Sequence, residues 1–98
     1  MELIFEWDRN KAKSNLRKHK VSFDEAKTVF EDEFLITFSD DVNSSEENRF
    51  ISIGFSANNR TLLVVHMESN ESNDTIVIRI ISCRKATKSE REIYEKDK

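Results

Sequence analysis

The sequence predicts an α+β domain: a mostly antiparallel sheet of four to five strands, with two short helices before it in the chain and one after. Three observations carry that class. Helix signals, meaning N-caps followed by apolar residues three and four apart, sit near the two ends of the chain. The middle holds β-branched runs, of which "TIVIRIIS" is the strongest. The connections between those runs are short, which favours an antiparallel meander. With 98 residues, no proline and no low-complexity linker, residues 1–98 make one domain with a single small core.

The elements follow in the order β-α-α-β-β-β-β-α. "ELIFEW" reads as a short apolar strand. Asp8 then caps "DRNKAKSNLRKH", a largely polar helix whose inner face is Ala12, Asn15 and Leu16. In "VSFDEAKTVF", Ser22 and Glu25 are spaced as a capping box, Val21 as a hydrophobic staple, and Phe23, Ala26, Val29 and Phe30 recur at helical spacing. The joint between these helices therefore holds Arg17, Lys18, His19 and Lys20. "FLITF" is a strand and the acidic "SDDVNSSEEN" a surface loop. "RFISIGFS" and "RTLLVVHM" form a hairpin across "ANN", where Asn58 and Asn59 tolerate left-handed backbone. "ESNESND" is a polar connection to "TIVIRIIS", a central strand. Thr87 and Glu90 make a second capping box for the helix "KSEREIYEKDK", anchored by Ile93 beside Tyr94. The helices are expected to cover one face of the sheet and leave the other partly open.

Apolar residues make up 37% and charged residues 36%, and seven Phe with many Ile and Val argue for a folded core despite the charge. One cysteine, Cys83, excludes an internal disulfide. The N-terminus lacks the pattern of a signal peptide and no stretch approaches a membrane span, so a soluble, cytoplasmic chain without a membrane partner is expected. The net charge of −3 conceals a separation. Residues 1–30 carry seven Lys/Arg against five Asp/Glu, and residues 79–98 carry seven against four. Residues 31–59 reverse this, with seven acids and only Arg49 opposing them. Two basic ends can thus converge in space while the acidic middle faces elsewhere.

Most catalytic signatures are missing. His19, His66 and Cys83 lack zinc-site spacing, and the single glycine, Gly54, leaves no phosphate-binding glycine loop. No cofactor or metal is expected. What remains is cations and two imidazoles. Strand alternation puts Ile76, Ile78 and Ile80 on one face of the last strand and Val77, Arg79 and Ile81 on the other, with Ser82 and Arg84 returning to the first. Arg79 in an apolar strand needs an acidic partner or a ligand. His66 lies with Leu62 and Val64, and Ser52, Gly54 and Ser56 make a small, open face that could accept a substrate. Each has a structural reading too. Arg79 can bridge to Glu68 or the acidic loop, His66 can be a core histidine, the cationic quartet can be a solvated turn, and Cys83 a buried small hydrophobe.

The run "FEWDRNKAKSNLRKHKVSFDEAKTVFED" resembles the N-terminal signature of the BrnT family, toxins of bacterial type II toxin–antitoxin systems. "IRIISCRKATKSEREIYE" resembles that family's closing signature, and "RFISIGFSANNRTLLVVHME" its hairpin, with Arg49 and Arg60. The resemblance implies a RelE-like fold and a metal-independent endoribonuclease that cleaves RNA and arrests translation. It implies as partner a BrnA-like antitoxin that carries a DNA-binding motif, so that promoter DNA is met only through the complex. The chain departs from the usual pattern at four positions: Lys20 and Asn59 stand where glycine is common, Glu33 where proline is common, and Cys83 where alanine is common.

Metal-free RNA cleavage needs a proton acceptor for the 2′-OH, a donor for the leaving 5′-oxygen and cations for the phosphorane-like charge. Motif matching and chemistry together assign Lys18, His19, Arg79 and Arg84 to catalysis. His19 is the proton carrier, since an imidazole can both accept and donate a proton near neutral pH. Arg49, Arg60, His66 and Lys85 are assigned to substrate binding. The competing reading is a non-catalytic binding module that partners an antitoxin or repressor.

Overall fold

A computed structural model of the chain describes residues 1–40, 48–96 and 98. The elements run β1 (Glu2–Glu6), α1 (Arg9–His19), α2 (Phe23–Lys27), a 3-10 turn (Thr28–Glu31), β2 (Ile36–Ser39), β3 (Arg49–Phe55), β4 (Thr61–Ser72), β5 (Thr75–Lys85) and α3 (Lys88–Lys96). The order matches the sequence reading. The predicted loop "SDDVNSSEEN" falls largely on residues 41–47, outside the described residues. "ESNESND" is not a simple connection, because β4 continues through most of it to Ser72.

The five strands form one sheet in the order β1-β5-β4-β3-β2. Strands β2 to β5 make the expected antiparallel meander, but β1 pairs parallel with β5, Leu3 opposite Ile76 and Glu6 opposite Arg79. The sheet is therefore mixed. The two helices after β1 carry the chain away before the meander begins, and the meander's last strand then takes β1 as its outer neighbour.

Between β4 and β5 the register shifts: Val65 opposes Ser82, whereas His66 opposes Ile80. Ile81 is the extra residue of a β-bulge, and a bulge reverses the alternation beyond it. Cys83 accordingly joins Ile78 and Ile80, while Arg84, opposite Leu63, joins the face of Arg79, opposite Met67. This corrects the expectation that Ser82 and Arg84 share the face of Ile80.

On the helix side, Val21, Phe23, Ala26 and Val29 pack against Leu62, Val64, Ile78, Ile80 and Cys83. On the other side α3 lays Tyr94 onto Ile53 and Leu63. Burying side chains of this size stabilises by about 1.5–3 kcal/mol each. Ser52, Gly54 and Ser56 are not an open face, since all three are buried beneath the helices. A Cβ on Gly54 would stand 2.7 Å from Leu35 Cδ1 and 3.1 Å from Val29 Cβ. Small residues here let the 3-10 turn approach the sheet.

The predicted caps are present. Asp8 accepts from the Lys11 N–H at 2.9 Å and Ser22 from the Glu25 N–H at 3.0 Å. Thr87 and Glu90 complete a reciprocal box at 2.8 and 3.3 Å. The anchor of α3 is Tyr94, whose hydroxyl donates to Asp32 at 2.6 Å, while Ile93 is exposed. Leu16 is likewise exposed rather than inward. Two departures from the resembled pattern, Lys20 (φ 61°) and Asn59 (φ 62°), occupy left-handed backbone. Lys20 ends α1 in the position where glycine relieves strain. Lys20→Gly is expected to stabilise the fold by about 0.5–1 kcal/mol in urea unfolding; a loss of stability instead would show that the bond from Lys20 Nζ to the Arg17 carbonyl outweighs the strain. Among the described residues no helix is long and apolar enough to cross a membrane.

Candidate active site

Strand β1 ends at Glu6, so β5 beyond Arg79 has no strand on that side. Helix α1 takes the vacant edge by means of one side chain. Buried Asn15 accepts from the Cys83 N–H at 3.1 Å and donates to the Cys83 carbonyl at 2.9 Å, as a neighbouring strand would. It also donates to the Val21 carbonyl at 3.0 Å, which fixes the joint between α1 and α2. The last turn of α1 is thereby held beside the bulge.

Between them runs an open groove of about 340 Å³, lined by Lys11, Ser14, Lys18 and His19 from α1 and by Ile81 and Ser82 from β5. Lys18 and His19 stand where cations favour a helix C-terminus, which is the structural reason for part of the cationic quartet. Neither enters an ion pair among the described residues. The groove thus presents two ammonium groups without an ion-pair partner among the described residues, Lys11 and Lys18, with an imidazole and two hydroxyls, a set that can hold an anion and move a proton.

The four candidate arginines are all compensated. Arg60 grips Glu25 through two hydrogen bonds and donates to the Lys20 carbonyl at 3.3 Å. The Arg60 hydrogen bonds hold the Glu25 carboxyl below its usual range against the opposing effect of burial. Ser56 adds a donor at 2.7 Å. The Glu25 carboxylate thus tethers the β3–β4 hairpin to α2 instead of closing the predicted capping box. Arg84 forms a two-pronged pair with Glu90 at 2.8 and 3.0 Å. That guanidinium, assisted by the Thr87 amide, pulls the Glu90 carboxyl down to about 2 against burial. Arg49 pairs with buried Asp40 at 3.2 Å. Arg79 meets Glu6 at 2.9 Å rather than Glu68, and the acidic loop lies largely outside the described residues. Lys85 is exposed and enters no ion pair among the described residues.

His66 is a core residue and cannot touch a substrate. It is fully buried, stacked on Phe50 and met edge-on by Phe30, with Nε2 2.7 Å from Ser52 Oγ. Burial pushes its pKa down to about 4. Cys83 is also buried, and burial pushes its thiol up to about 12, which makes it a small hydrophobe. The eight candidates therefore do not converge. Lys18 and His19 share the groove, Arg79 lines a second concavity with Glu6, Met67 and Glu68, and the other arginines brace the fold. Lys11, Ser14 and Ser82 were not singled out from sequence. Lys11, Ser14 and Lys18 recur three and four apart on α1, a stripe that could have shown them.

The family model described as the ribonuclease toxin, BrnT, of type II toxin–antitoxin system matches residues 7–90. The chain belongs to the BrnT family. That stretch contains α1, the groove and every candidate residue discussed above. The 1.1 Å crystal structure of the Brucella abortus ribonuclease toxin, BrnT, superposes with a TM-score of 0.62 at 19% identity, covering 90% of this chain and all of that one. The BrnT fold is thus shared in full at low identity. Comparison with curated proteins finds no match. As a BrnT-family member, the chain is a ribonuclease toxin of a type II toxin–antitoxin system.

Proposed function

We propose that this toxin cleaves RNA without a metal ion, in the groove between α1 and the β5 bulge. One observation carries the reading: Lys18 and His19 are the adjacent candidates that face a groove without a carboxylate partner. An RNA phosphate supplies the charge they lack. The ribose 2′-OH attacks the adjacent phosphorus, His19 takes its proton, the P–O5′ bond breaks, and water protonates the departing 5′-oxygen. Lys18 stabilises the charge that builds on the non-bridging oxygens, with Ser82 and Ser14 as hydroxyl donors. The products are a 2′,3′-cyclic phosphate and a 5′-hydroxyl. Lys85 and Arg79 hold flanking phosphates, whereas Arg49, Arg60 and Arg84 act through the architecture. RNA loss then arrests translation until a DNA-binding antitoxin neutralises the toxin.

The test is incubation of the purified chain with a defined RNA in excess EDTA, with the product ends read by mass spectrometry. Cleavage to cyclic-phosphate ends is expected. Cleavage only after magnesium is restored would overturn the metal-free mechanism. The binding-module reading is favoured by a different observation. The sheet face shared with α3 leaves Ile4 and Phe38 exposed at its two edges, an apolar surface suited to a partner. On that reading the folded chain binds its antitoxin and leaves RNA intact under every condition.

A further inference from the structure

We infer that Glu6 is an intramolecular stand-in for an RNA phosphate on Arg79, and that the Glu6–Arg79 pair opens when RNA binds. The inference rests on the ribonuclease reading above. The four arginine pairs differ in what holds them. Glu25 is buried, takes two hydrogen bonds from Arg60 and a third from Ser56. Glu90 takes two from Arg84 and also caps Thr87. Asp40 is buried against Arg49. Glu6 and Arg79 share one hydrogen bond of 2.9 Å, and their side chains are 50% and 47% exposed.

The parallel pairing of β1 with β5 explains why the two meet. Glu6 is the last residue of β1 and lies in register with Arg79. Both sit at the point where the sheet edge passes from β1 to α1, and the groove wall at Ile81 and Ser82 begins two residues further along β5. A carboxylate and a phosphodiester carry the same charge, but the phosphodiester can meet the guanidinium fork with two oxygens. An exposed, single-contact pair holds its partners weakly, so exchange needs little compensation. Glu6 therefore competes with RNA for Arg79, and it weakens non-productive binding of other anions to the same cation.

The experiment measures binding of a short single-stranded RNA, blocked against cleavage by 2′-O-methylation, to four chains at low salt: wild type, Glu6→Gln, Arg79→Ala and the double variant. Both positions are exposed, and melting curves verify the fold of each. Glu6→Gln is expected to bind about two- to five-fold tighter than wild type, Arg79→Ala weaker, and the double variant no tighter than Arg79→Ala alone. The gain is expected to vanish at high salt. An unchanged affinity in Glu6→Gln would overturn the inference. So would an equal gain in the Arg79→Ala background, which would mark a general charge effect. If the wild type cleaves unblocked RNA and the cycle shows no coupling, the latch alone falls. If no chain binds or cleaves RNA, the ribonuclease reading falls with it.

Discussion

Replacing Asn15 by alanine is expected to lower the unfolding free energy by about 3–5 kcal/mol, the largest single-residue effect outside the apolar core. The Asn15 amide satisfies three backbone groups at once: the Cys83 N–H, the Cys83 carbonyl and the Val21 carbonyl. A buried polar group left unpaired costs about 1–3 kcal/mol, and alanine supplies no replacement donor or acceptor. Native domains are typically stable by only about 5–15 kcal/mol, so the variant sits near the unfolding threshold. Asn15→Asp is expected to be no better. Its carboxylate still accepts from the Cys83 N–H, but it faces two carbonyls it cannot serve and buries a charge. Urea unfolding measures both variants. A loss under about 1 kcal/mol in Asn15→Ala would show that the bulge edge does not depend on this clasp.

Acid is expected to weaken the fold well above the range in which carboxylates titrate, and His66 is the cause. The folded state keeps this imidazole neutral, with a pKa near 4, whereas the unfolded chain protonates it at about 6.5. The folded pKa is the lower of the two. The His66 contribution is therefore complete above pH ~6.5 and is lost as pH falls toward 4. Between pH 7 and 5 the loss amounts to about 2 kcal/mol. Glu68 opposes it: its carboxylate oxygen lies 3.5 Å from His66 Nδ1, and burial raises its pKa, so the folded state takes up a proton there early. The lowered carboxyls of Glu25 and Glu90 add their losses only as pH falls into and below their ordinary range. His66→Gln retains a partner for Ser52 and removes the titration. Urea unfolding of both chains at pH 7 and 5 is expected to show the drop in wild type and a much smaller one in His66→Gln. Equal drops would assign the acid sensitivity elsewhere.

Local signals were legible in the sequence, and long-range ones were not. Asp8, Ser22 and Thr87 declare their helices because a cap and its amide lie three residues apart. His66 is assigned to substrate binding from sequence, yet it shares a strand face with Leu62 and Val64, and all three are fully buried. Nothing local announces that β1 pairs parallel with β5. Nor does "IRIISC" mark its bulge, because every residue around Ile81 is at home in a strand and no glycine signals the extra one. That single residue decides which face carries Arg84. In the same way Glu25 carried the spacing of a capping box, yet its carboxylate is claimed by Arg60, thirty-five residues away. The candidate site followed suit. Lys18 and His19 were readable as a pair, while the arginines read as phosphate ligands were partnered by acids that only the fold brings near.

The most direct test is single-turnover cleavage of a defined RNA in EDTA by the wild-type chain beside His19→Ala and Lys18→Ala, each confirmed to melt like the wild type. Wild type is expected to cleave. His19→Ala is expected to be slower by about 10²–10⁴-fold, the range of a lost acid–base group, and Lys18→Ala to be slowed as well. Cleavage by His19→Ala at the wild-type rate would contradict the assignment of chemistry to the groove beside the β5 bulge.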